Sequence, residues 1–232
     1  MRKFLVAMAV LLVVGLIAAD RIGVMIVEDR IGREVAAQYD LQQDPDVTVH
    51  GFPFLTQAIG GEYDRIDVRI PEYTQQDVTL SDVRVEMHGL RAPLGDVTGG
   101  NTDNVRARTA TASAVIPYSL LQRYAPKEVT RITPRGSDLQ VDLSGSIAGF
   151  TLDGTAVVSV RATDEGIRVT PRSIGNGLVQ IPVNVLRERL GWTVPVRDLP
   201  VGSRISDVVV GESGLRVAAT AEDVRLGDLR AG

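Results

Sequence analysis

The chain has 232 residues, a formal net charge of −4 and no cysteine at all. Thiolate catalysis, cysteine-ligated metals and disulfide staples are thereby excluded, and a mildly acidic chain is a poor partner for nucleic acid. Aromatic residues make up 4%, too few for a stacking platform, and Lys stands only at positions 3 and 127, every other cation being Arg.

Arg2 and Lys3 precede an uncharged apolar run, Phe4 to Ala19, which Asp20 and Arg21 close. A basic start before a greasy stretch is the layout of an export signal. The run of 16 residues is short for a bilayer span of about 20 apolar residues and long for a signal-peptide core of about 7–15. Residues 1–19 therefore read either as a signal peptide cut near Ala19 or as an uncleaved anchor, its span helped by snorkelling Arg2, Lys3 and Arg21. Leu16 and Ile17 stand where a cleavage site prefers small side chains, which favours the anchor. On both readings the positive-inside bias places residues 20–232 outside the cytoplasm. No linker or composition shift interrupts them, so they are expected to form one domain, and removal of Arg2 and Lys3 leaves it a net charge of −6.

Val24, Val27, Ile31 and Val35 recur at spacings of three and four, which predicts a helix over 20–40. Joined to the apolar run, it would be one rod from 4 to 40. From Val47 onward the period is two: Ile66, Val68 and Ile70 alternate with Arg65, Asp67 and Arg69. The apolar phase slips at Ser81-Asp82, which predicts a β-bulge, and slips again between Val105/Ala107 and Ala110/Ala112/Ala114/Ile116. Further strands are expected at 138–143, 150–161, 166–170, 203–210 and 215–221. Two short helices opening on Ile-Pro, 116–124 and 181–190, interrupt them and place Leu121 and Leu186 at equal offsets. The predicted class is α+β: a long N-terminal helix packed on a long, curved, bulged antiparallel sheet with two short helices.

The chain offers little to catalysis. It lacks a G-x-S-x-G elbow, a phosphate-binding glycine loop and an EF-hand pattern, and its two histidines, His50 and His88, are not spaced as a metal pair. His88 is expected to face solvent. The oxygen-rich stretch Thr98 to Asn104 reads as a flexible loop, and Asp64/Asp67 as strand-surface charge. No metal, cofactor or catalytic residue is assigned.

The segment Gly51-Phe52-Pro53-Phe54-Leu55-Thr56-Gln57 holds half of the chain's four Phe. Read as a strand, it would turn Phe52 and Phe54 the same way, one filling the core and the other lining a groove mouth. This segment resembles the signature of the LmeA-like family of bacterial envelope proteins, as do the N-terminal apolar run, the helix after it, and the late stretch Leu199-Pro200-Val201-Gly202 leading into Ile205 and Gly214. The resemblance implies a phospholipid-binding protein of the cell envelope built as a tubular lipid-binding half-module. It also admits a phospholipase A-like activity in lipoglycan or envelope assembly. The expected function is therefore an exported, membrane-proximal module that holds phospholipid acyl chains in an apolar groove. Its residues are expected to be Phe52, Phe54, Leu55, Leu121 and Leu186, with the small side chains Ala110, Ala112 and Ala114 turned inward to leave room. The alternatives are a hydrolase using His50 or His88 with a nearby Asp, and a purely structural envelope protein. Phospholipid and membrane are the expected partners.

Overall fold

The computed structural model describes residues 2–75, 78–99, 101, 103–147, 150–174, 190–196 and 203–227. In chain order the elements are α1 (Arg2–Gln38), β1 (Asp46–His50), α2 (Phe54–Gly60), β2 (Glu62–Gln75), β3 (Val78–Arg91), α3 (Leu94–Gly99), β4 (Arg106–Pro117), α4 (Tyr118–Tyr124), β5 (Val129–Arg135), β6 (Asp138–Ile147), β7 (Phe150–Thr163), β8 (Gly166–Ile174), β9 (Trp192–Pro195), β10 (Arg204–Val210) and β11 (Gly214–Arg225). The fold is α+β. One sheet has the order β1-β2-β3-β4-β11-β10 and the other β5-β6-β7-β8-β9.

The rod is present. Helix α1 runs unbroken from the apolar run into the stripe of Val24, Val27 and Ile31, and it is long and apolar enough to cross a membrane. One of the two Ile-Pro helices is α4; the other, at 181–190, lies outside the described residues except for Leu190. Helices α2 and α3 were not expected. Helix α2 ends on Gly61, whose left-handed φ of 65° lets its N–H return to the Gln57 carbonyl. Helix α3 replaces the start of the expected Thr98–Asn104 loop, because Asp96 accepts from the amides of Asn101 and Asn104 and draws the turn together.

The chain divides into two compact units. The first comprises Met1–Pro71, Arg84–Thr111 and Ala221–Gly232. In it, Val24, Val27 and Ile31 of α1 pack on Val49, Phe54, Tyr63, Ile66, Val68 and Leu90. Alternation along β2 sends Ile66 and Val68 to this core while Arg65 and Asp67 face outward. Strand β1 is an edge, and its Val49 N–H donates to Glu28 of α1 at 2.8 Å, so the helix also covers an open ladder.

The second unit comprises Glu72–Val83 and Ala112–Thr220. Its core joins Leu121 of α4 to Leu139, Val141, Val158, Ile167, Val169 and Leu215. The antiparallel registers shift between Val129 and Arg131, between Val157 and Val158, and between Ile205 and Asp207. Within β3, Asp82 takes a left-handed φ of 48° at the place where the apolar phase slips. Its carboxylate accepts from Arg216 at 2.7 Å, which holds the irregular backbone.

Candidate lipid site

The segment from Gly51 to Gln57 is a helix start, not a strand, and this separates its two Phe. Pro53, after a cis peptide bond, is the N-cap of α2 and supplies no side-chain cap. Asp20, at the end of the apolar run, supplies it instead: the Leu55 N–H donates to its carboxylate at 2.8 Å, and Arg21 closes the second oxygen at 2.6 Å. Asp20 is 2% exposed. Gln57 donates to the His50 carbonyl at 3.2 Å and accepts from the Asp64 N–H at 2.9 Å, joining the end of β1 to the start of β2.

The turn into α2 then sends the side chains apart. Phe54 turns inward, 2% exposed, with its ring 6.4 Å from that of Tyr63. Phe52 turns outward, 62% exposed, with the Arg21 guanidinium 5.2 Å above its ring. Leu55 and Ile59 are exposed too, Ile59 by 89%. Helix α2 thus carries an apolar rim, docked on α1 at Asp20 directly after the apolar run. Ile22, Met25 and Ile26 of α1 are exposed as well.

A second feature lies further along α1. Between its Ile31 and Val35 and the sheet residues Ile66, Val68, Met87, Leu90 and Val105, a cavity of about 110 Å³ remains open, with Glu34, Gln38, Asp96 and Asn101 supplying polar groups. The sequence did not single out these wall residues as a site, although the α1 stripe and the alternation of β2 are the signal that carries them.

The remaining expected site residues are spread out. Leu121 is fully buried in the core of the second unit, and Leu186 lies outside the described residues. The alanines do not form one inward face. Ala110 and Ala114 are half-buried and Ala112 is exposed. Strand β4 explains this: it gives Ala107 to the core of the first unit and Ile116 to that of the second, so no single phase holds along it.

His50 Nε2 lies 2.8 Å from Asp67 Oδ2, and Arg65 also holds both Asp67 oxygens. The Arg65 hydrogen bonds keep the Asp67 carboxyl below its ordinary range despite partial burial, and His50 adds to the effect. His88 is exposed, as expected. A broad cleft beside Asp67 is charged, with Glu28, Asp29, Asp46 and Glu86 facing Arg65, Arg69 and Arg84. Its walls do not suit an acyl chain. Among the described residues no group of three His, Asp or Glu is placed to hold a metal ion.

A long helix thus lies on an antiparallel sheet, with a mainly apolar cavity between them and an apolar rim beside a membrane-length segment. A sequence model of the LmeA-like phospholipid-binding family matches residues 18–220, and the chain belongs to that family. No curated protein and no solved structure matches it.

Proposed function

We propose that the protein is an exported, membrane-proximal phospholipid-binding protein of the cell envelope, tethered by residues 4–19, that holds acyl chain between α1 and its sheet. The observation that carries this reading is the apolar cavity walled by Ile31, Val35, Ile66 and Val68. Family membership supports phospholipid as the occupant. At about 110 Å³ the cavity is below the roughly 300 Å³ of small-ligand pockets, so a full chain requires α1 to lift from the sheet. The apolar rim of Phe52, Leu55 and Ile59 supports a role close to the bilayer, since α2 is docked where the apolar run ends.

Native mass spectrometry of the full chain released from detergent tests binding. Intact phospholipid should remain on the protein, and Val35→Phe, which fills the cavity from its half-buried edge, should lower occupancy without changing the melt. A lipid-free wild-type protein that takes up none from vesicles overturns the reading. The tether and export are tested by a reporter fused after Gly232, which should be active only outside the cytoplasm.

The His50–Asp67 pair favours a second reading, a phospholipase A-like hydrolase in which an Asp-oriented imidazole activates water. Recovery of lysolipid in place of intact lipid, lost in His50→Gln, would select it; intact lipid on both proteins would dismiss it.

A further inference from the structure

The opposite face of the cavity-bearing sheet carries a concentration of cations. Strands β3, β4 and β11 are neighbours in the sheet. Leu90, Ala107 and Val224 are buried in them, as is Val105 just before β4, so alternation turns Arg91, Arg106, Arg108 and Arg225 to the other side, where all four are exposed. The four converge on one cleft of about 330 Å³, with Gly89 and Asp223 in its lining.

The backbone sets the arginines together. The Leu226 N–H donates to the Val105 carbonyl at 3.0 Å, which brings Arg225 beside Arg106. Gly89 lies across from Arg108: a Cβ there would stand 3.2 Å from the Arg108 Cβ and 3.0 Å from its Cζ. The Arg108 guanidinium therefore occupies the space a side chain at Gly89 would take. Gly89 also has a left-handed φ of 60°, which glycine adopts freely.

Among the described residues Arg106, Arg108 and Arg225 form no ion pair, and only Arg91 is engaged, by Glu62 at 3.0 Å. Asp223 is the one acid in the lining among the described residues. Like charges on facing strand positions repel, and this cluster stands in a chain whose net charge is −4. Guanidinium forks match the oxygens of a phosphate two at a time.

We propose that this cleft is a phosphate site, filled by the phosphate of an anionic phospholipid headgroup or by free phosphate. It lies across the sheet from the apolar cavity, where Leu90 and Val105 face the other way, so it engages a phosphate separate from any lipid whose chain the cavity holds. Arg106 and Arg108 supply the forks, and Gly89 keeps the Arg108 guanidinium against the sheet.

Calorimetric titration of the full chain in neutral detergent micelles tests this, with inorganic phosphate, soluble dihexanoyl phosphatidylglycerol and zwitterionic dihexanoyl phosphatidylcholine as probes. Saturable binding of at least one anionic probe is expected, weakened tenfold or more in Arg106→Gln/Arg108→Gln. Saturation by phosphatidylglycerol alone assigns the site to a headgroup; saturation by both anions assigns it to phosphate itself. Gly89→Ala keeps every charge yet displaces the guanidinium, and is expected to weaken binding as Arg108→Gln does. No saturation by either anion, equal binding of phosphatidylcholine, or unchanged affinity in the Arg106/Arg108 double variant overturns the proposal. Co-purified lipid on that double variant reads the cavity independently, so the two readings fail separately.

Discussion

Phe54 and Phe52 stand two residues apart and have opposite fates, 2% and 62% exposed. Truncating a buried Phe removes its transfer free energy and leaves a cavity, at about 3–5 kcal/mol. Phe54→Ala should therefore lower the denaturation midpoint steeply. Phe52→Ala removes one exposed cation–π contact worth about 0.5–1 kcal/mol, so its melt should stay near wild type while vesicle uptake falls. Early melting of Phe52→Ala would contradict the outward placement. Tyr63 offers a converse case. Its ring is buried against Phe54, and its hydroxyl has no hydrogen-bond partner among the described residues. Burial raises its pKa. A buried polar group without a partner costs about 1–3 kcal/mol, so Tyr63→Phe should match or exceed wild-type stability in a urea titration.

The seven-residue helix α2 is too short to persist by propensity alone. It is held by Phe54 in the core and by a cap reaching it from 35 positions earlier in the chain. Asp20→Ala frees that helix start, and loss of a capping oxygen costs about 0.5–2 kcal/mol. Hydrogen exchange should then rise first at residues 54–60, with β6 and β7 unaffected; uniform protection across the molecule would show that α2 does not depend on this cap. The element was hidden in the sequence for the same reason. Gly51-Phe52-Pro53-Phe54 reads as extended because Pro restricts its predecessor, and nothing local indicates that a carboxylate from another helix will satisfy the first amides. Helix α1, by contrast, was legible, since its stripe at spacings of three and four is intrinsic to the segment.

At the scale of the molecule, acid should loosen the first unit through Asp67. Its carboxyl is lowered by Arg65 and His50, so the folded pKa lies below the unfolded value of about 3.9. A lowered carboxylate contributes stability that is fully present above the unfolded pKa and lost as pH falls through the folded one. Urea midpoints of the full chain in detergent should thus hold near neutrality and drop below about pH 4, and Asp67→Asn should flatten part of that drop. An equal drop in the variant would place the acid sensitivity elsewhere.

Taken alone, the sequence determined the features that depend on neighbours along the chain: the apolar run and its continuation as one helix, the period-two strands, the slip at Ser81-Asp82, the α4 segment and the α+β class. Local spacing dictates each of these. What only the tertiary structure decided depends on residues far apart in sequence. Asp20 became a cap because α2 folds onto α1, and Phe52 faced out because that cap starts a helix. Ala112 became exposed because β4 serves two cores in turn. Ile31, Val35, Ile66 and Val105 became cavity walls because the side chains of α1 do not fill all the space above the sheet there. Whether a gap remains between packed elements is set by the fit of two surfaces, and no window of sequence contains both.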